Sequence, residues 1–268
     1  MIVASCWSWP GAWPAEIVVE GPLNTPEHEA PPRTTLARYG SWPVVIAVML
    51  GAIIIGSAVS YLLAGLLFGD DGGSASATGF LATPRVLFLA IVVSDAVLLG
   101  AVYLVLVRRG VTTWRDLGLG RPEVTNPVLR GLGYGLLFLM VAGGVSLALA
   151  ALGIQQDQAQ QFPIEGTGPL GKASILLAGV AFAPFAEEIF FRGFIFRAMA
   201  ERKGLVRGLL YSSALFSLVH GNVAAFLPLL AGAAVLALSF QRTRTLWVPM
   251  IAHAVNNAVA LTVLVLAT

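Results

Sequence analysis

An all-α bundle of about seven membrane-spanning helices is the fold this sequence predicts, on three observations. Of its 268 residues, 57% are hydrophobic and only 11% charged, against roughly 25% charged in an ordinary soluble domain. Its mean hydropathy is +0.83. The apolar residues gather in runs close to the roughly 20 residues that cross hydrocarbon. Those runs lack the alternation of a lipid-facing barrel strand, which leaves helices as the way to satisfy the backbone in lipid.

The same composition narrows the partners. A content of 29 Gly and 15 Pro suits helices that pack closely and kink. The net charge of +2 is small, and the Arg residues stand between apolar runs as topology signals, so nucleic acid is not an expected partner. Cys6 is the single cysteine. An internal disulfide and a cysteine-based metal cluster are thereby excluded.

In chain order, residues 1–40 hold Pro10, Pro14, Pro22, Pro26, Pro31 and Pro32 together with four Glu, without helical periodicity. They read as a mobile tail preceding the membrane domain of residues 41–268. Without a basic start or a sustained apolar core, this tail is no signal peptide. Apolar segments follow at 42–68, 84–107, 129–152, 173–199, 205–219, 223–240 and 248–267. Between the fifth and sixth, His220, Gly221 and Asn222 leave room for a tight turn only.

Loop charge sets the expected orientation, because short cytoplasmic loops collect Lys and Arg. Arg33 and Arg38 precede the first segment, and Arg108, Arg109, Arg115 and Arg121 follow the second. Arg197, Arg202, Lys203 and Arg207 join the fourth to the fifth, while Arg242 and Arg244 follow the sixth. Asp70, Asp71 and the Gln-rich run with Asp157 fall on the opposite side. Seven spans with the N-terminus in the cytoplasm and the C-terminus outside satisfy every loop.

Polar groups inside the spans mark the site, since a charge in a bilayer costs at least a few kcal/mol. Glu187, Glu188 and Arg192 stand together in the fourth apolar segment. Glu188 and Arg192 are four apart, share a helix face and are expected to pair. Glu187, turned by about 100°, is left for another partner. His220 lies about as far up the fifth segment from the turn at Lys203 and Gly204 as Glu187 lies up the fourth, so the two are expected at one depth. His253 and Asn257, again four apart, present two hydrogen-bond donors on one face. Asn256 faces elsewhere and reads as an interhelical hydrogen-bonding group. Asp95 in the second segment has no assigned role: second-layer partner, pairing site for an Arg and structural hydrogen-bonding group all stay open. The competing reading of the acidic triplet is an ion network that serves packing alone.

In order, spacing and setting, Glu187-Glu188-Ile189-Phe190-Phe191-Arg192, Phe216 to His220 and His253 to Asn257 resemble the three motifs EExxxR, FxxxH and HxxxN. These are the motifs of the CPBP intramembrane endopeptidases, the family of the CAAX prenyl proteases and the Abi bacteriocin-immunity proteins. Pro184 before the acidic pair and Leu246-Trp247-Val248-Pro249 before the last motif agree with it. The resemblance implies a catalytic core at about 173–268. Within it Glu187 and His220 would hold and activate a water, Glu188 with Arg192 would support the helix face, and His253 with Asn257 would stabilise the tetrahedral oxyanion.

The reaction so implied is hydrolysis of a peptide bond near the cytoplasmic leaflet, in a membrane protein or peptide that carries or lacks a lipid. The bilayer itself is the second partner, and a bacterial cell membrane is the expected location. Glu187, His220 and His253 also make a two-His, one-carboxylate set of the kind that binds a divalent metal such as zinc. A water activated by Glu without metal explains the same residues and is the expectation taken here. Two rival functions remain: a non-catalytic immunity or scaffold protein, and a transporter using the same carboxylates. Without an apparent internal repeat, the transporter is the weaker of the two.

Overall fold

The computed structural model describes residues 35–68, 83–154 and 167–267. The Pro-rich stretch through residue 34, the Asp70 and Asp71 loop and the Gln-rich run lie outside the described residues. Among the described residues the regular structure is helical throughout: α1 (Thr35–Tyr39), α2 (Trp42–Phe68), α3 (Pro84–Val107), α4 (Pro127–Ala151), α5 (Pro169–Lys203), α6 (Leu205–Val219), α7 (Phe226–Thr243) and α8 (Trp247–Ala267). The end of the expected tail is therefore not tail. Thr35–Tyr39 folds into a short helix whose Leu36 and Ala37 are buried against the C-terminal part of α5.

Six of these helices are long and apolar enough to cross a membrane, and the protein is a polytopic helical membrane bundle. The fifth apolar segment differs from expectation. It forms a helix of 15 residues, about 22 Å at 1.5 Å per residue, which falls short of the roughly 30 Å of hydrocarbon. It stops because Gly221 turns the backbone to φ 67° and the chain reverses into α7. Ser217 Oγ donates to the Phe226 carbonyl at 2.5 Å, and the Ala225 N–H donates to Asn222 Oδ1 at 3.0 Å. Irregular backbone at that depth is tolerated where it lines a cavity.

α5 is the hub. It packs against α3, α6, α7 and α8, whereas α2 leans on α3 and α4 fills the groove beside α7 and α8. Small residues allow the last contact: a Cβ on Gly131 would stand 2.6 Å from Ile251, and one on Gly135 2.8 Å from Val255. Close backbone approach of this kind drives helix association in lipid, where apolar surface gains nothing by leaving the solvent.

At one end of the bundle the chain is tied across elements. Arg197 Nη1 donates to the Asp116 carbonyl, and the Leu246 N–H donates to the Gly118 carbonyl at 2.9 Å. Gly118 itself sits at φ 109°, a conformation that favours glycine. The Arg-bearing connections after α3, α5 and α7 thus share one face of the bundle.

Candidate active site

The site grows out of the irregularity of α5. Pro184 lacks the N–H that an α-turn would use, and it follows directly on a π-helical stretch, Ala178–Phe182. A second π-helical stretch, Ile189–Phe196, follows the acidic pair, and all eight of its residues are buried. Glu187 and Glu188 close the single α-helical turn and a half between them, Ala183–Glu188. Wide turns of this type often mark functional sites because they re-aim the side chains around them.

Glu188 and Arg192 are both fully buried and paired, Arg192 Nη1 to Glu188 Oε1 at 2.8 Å. The guanidinium also donates through Nη2 to the Ala233 carbonyl at 3.1 Å and lies 4.6 Å from the Phe216 ring centroid. A charge removed from water is thus met by a carboxylate, a carbonyl and an aromatic face. Glu188 does more than the expected pairing. The same Oε1 takes a hydrogen bond of 3.0 Å from Nδ1 of His253. An ionised carboxylate only accepts, so this bond places the Nδ1 proton on His253 and leaves Nε2 to act in the cavity.

Nε2 of His253 faces Oε2 of Glu187 at 3.9 Å, too long for a direct hydrogen bond. That Oε2 is buried and has no hydrogen-bond partner among the described residues. His220 takes a related posture: its Nδ1 lies 2.7 Å from the Phe216 carbonyl, so its own chemistry also falls to Nε2. Glu187, His220, His253, Asn256, Asn257 and Asp95 all line one cavity of about 630 Å³. Glu187 and His220, expected at one depth, both line this cavity.

Residues 169–259 match the family model of the type II CAAX prenyl endopeptidases, Rce1-like. Over 118 residues the chain is 28% identical to YdiL of Bacillus subtilis strain 168, a protein provisionally named a membrane peptidase; the match covers 44% of this chain and 47% of that relative. Residues 169–259 are thus similar to the CPBP endopeptidases. The chain spans about half the length of the curated relative it matches. No solved structure matches it.

Within the matched segment two side chains count for more than their sequence reading. Asn256 lines the cavity instead of bonding a distant helix, and its Nδ2 donates to Asn257 Oδ1 at 3.2 Å. Asn257 in turn donates through Nδ2 to the Gly179 carbonyl at 2.8 Å. One amide hydrogen of Asn257 is therefore spent on α5, in the first π-helical stretch. Phe216, first residue of the FxxxH motif, touches Arg192, His220 (4.7 Å between ring centroids) and His253 (5.6 Å). Its place in the motif was the signal for that role, since a lone Phe in an apolar helix carries none.

The metal reading meets a limit in this segment. His220 and His253 have the Nδ1 support that metal-binding histidines use. Among the described residues, however, no three His, Cys, Asp or Glu side chains converge as a group able to hold an ion. Glu187, His220 and His253 as positioned do not form such a group.

Proposed function

We propose that the protein is an intramembrane endopeptidase that hydrolyses a peptide bond of a membrane-associated protein or peptide with a water activated by Glu187. The observation that carries this reading is the unpartnered Glu187 Oε2 held 3.9 Å from His253 Nε2 in a buried cavity. A water seated off the line between them would reach both at about 2.8 Å. The family match of residues 169–259 and the name of the Bacillus relative support the same class of reaction.

In this mechanism Glu187 takes the proton as the water oxygen attacks the scissile carbonyl, and Nε2 of His220 orients that water. The oxyanion is met by the second amide hydrogen of Asn257 and, when its ring is protonated, by Nε2 of His253. Glu188 with Arg192 acts through His253, by fixing its tautomer and orientation. The CAAX resemblance favours a lipidated C-terminal substrate. The Arg-bearing face of the bundle supports a cytoplasmic N-terminus, an outer C-terminus and cleavage near the inner leaflet.

Purified Glu187→Gln in liposomes is the direct test of the reaction. General-base loss predicts a fall on the order of 10² to 10⁴ in cleavage rate, and cleavage at the wild-type rate would remove Glu187 from the mechanism. Orientation has its own check in the single Cys6. In intact cells a membrane-impermeant thiol reagent should label Cys6 only after the membrane is opened.

A further inference from the structure

Asp95 is the one charged residue in the cavity that comes from outside the family-matched segment. Leu87, Ile91, Ser94, Asp95 and Leu98 of α3 line the cavity at helical spacing, so one face of this helix looks into it and Asp95 stands on that face. α3 packs on Ala183–Glu188, the turn that carries Glu187. Asp95 is 7% exposed, and its Oδ2 is buried without a hydrogen-bond partner among the described residues. Its neighbour Ser94 lies against α2, where a Cβ on Gly56 would stand 3.4 Å from the Ser94 Oγ. Among the described residues no Lys or Arg lines the cavity, and the buried guanidinium of Arg192 is engaged by Glu188 and the Ala233 carbonyl. An Arg of this chain and a structural hydrogen-bond donor, two partners left open for Asp95 by the sequence, are thus both missing among the described residues.

A carboxyl group inside a membrane is costly without a partner and is kept where function needs it. With none in the cavity wall, the partner arrives with the ligand. We propose that Asp95 is a substrate-binding residue, which receives a Lys or Arg side chain carried by the substrate within about three residues of the scissile bond. Charge complementarity selects that chemistry. The side chains lining the cavity include two carboxyl groups, Asp95 and Glu187, and no ammonium or guanidinium, so a cation is drawn in and an acidic side chain is turned away. The reach follows from size: an extended chain advances ~3.3 to 3.6 Å per residue, and a cavity of about 630 Å³ admits only a short piece of peptide between two groups on its wall. Because α3 lies outside the matched segment, this preference belongs to the present chain and not to the motifs it shares. The inference rests on the hydrolytic reading of Glu187 for where the peptide is cut, whereas the binding it describes needs no reaction.

Binding is measured first, on full-length Glu187→Gln protein in phosphatidylcholine liposomes, whose headgroup has no N–H to compete for Asp95. The probes are fluorogenic lipidated peptides of Leu and Ala in which a single Lys is moved stepwise along the chain, each with a norleucine control. At one position the Lys peptide should bind roughly 10- to 10²-fold more tightly than its control, the range of a hydrogen bond to a charged group. Adding Asp95→Asn should bring the two to one Kd, with Asp95→Ser as the second variant should the first not fold. Equal binding of Lys and control peptides at every position, or a Lys preference that persists in both Asp95 variants, overturns the subsite. The second readout is cleavage with Glu187 intact. The same Lys peptide should exceed its control by a similar factor in kcat/KM, carried by KM, and Asp95→Asn should abolish that ratio. A ratio that survives Asp95→Asn overturns the subsite as well. Cleavage by Glu187→Gln at the wild-type rate would instead overturn the hydrolytic reading, while the binding difference still stands or falls on Asp95 alone.

Discussion

α2, α3 and α4 face lipid where α5 and α7 face protein. Only 22%, 17% and 11% of the core windows of α2, α3 and α4 are buried, against 56% in both α5 and α7. Among the described residues, the Glu, His and Asn side chains lining the cavity all come from α5 onward, and the first half adds Asp95 with Ser57, Ser94 and Ser146. The first half of the bundle therefore serves as a wall and the second as the machine. In the wall, lipid stands in for neighbouring helices, so side-chain identity there is loosely constrained. In the machine the buried charges are met by named partners, as Glu188 is by Arg192 and His253.

The sharpest way to break this contrast is to remove the side chain that joins the two carboxylates. His253 bonds Glu188 with one ring nitrogen and faces Glu187 across 3.9 Å with the other. His253→Gln should lower the cleavage rate on the order of 10² to 10³. A turnover measurement on the fluorogenic peptide decides it, and a loss below tenfold would show that His253 only props up the helix.

Arg192→Met comes next, read as stability. It leaves Glu188 ionised, fully buried and without its cation, a change that costs roughly 3 to 5 kcal/mol. Thermal unfolding in detergent should show the loss, and most of it should return in the double variant Glu188→Met with Arg192→Met, which removes both charges together. Recovery of folding without recovery of cleavage would separate the packing role of the pair from its service to His253.

How much of this was legible beforehand differs between the two halves. The wall was read from hydropathy alone: 42–68 and 84–107 coincide with α2 and α3 as built. The shortness of the functional span around α6 was harder. The segment bounds of 205–219 and the tight turn after them were legible; the fold adds that these 15 residues fall short of a span and that the turn at Gly221 brings His220 to the cavity. Spacing correctly paired Glu188 with Arg192, because four residues on a helix fix a common face. It missed the second bond of Glu188 to His253, which depends on how α5 and α8 cross and on the two π-helical stretches that shift the helix phase. No residue count on an ideal helix carries that information. Asp95 stood out by cost alone, and that it lines the same cavity as Glu187 required the fold.

Asn256→Ala tests a smaller effect on the machine side. It removes the donor to Asn257 Oδ1, one neutral hydrogen bond worth about 1 kcal/mol, while the anchor of Asn257 on the Gly179 carbonyl survives. Cleavage should fall roughly fivefold to tenfold through kcat with KM held, on the scale of about 1.4 kcal/mol per tenfold. Unchanged kcat would place Asn256 among the cavity-lining groups that serve substrate passage only.

The finest cut compares neighbours on α4, the helix that belongs to both regions. Gly135 is buried, and a Cβ there would press on Val255 at 2.8 Å, so Gly135→Val must push α4 off α8 and should cost roughly 1 to 3 kcal/mol. Leu136, one residue on, is 59% exposed on the opposite side. Lipid contacts an Ala there about as well as a Leu, and Leu136→Ala should stay within roughly 0.5 kcal/mol. Unfolding curves for the two variants in the same detergent make the measurement. Equal losses would mean that the outer face of α4 is covered by protein in the membrane and that the wall is an interface.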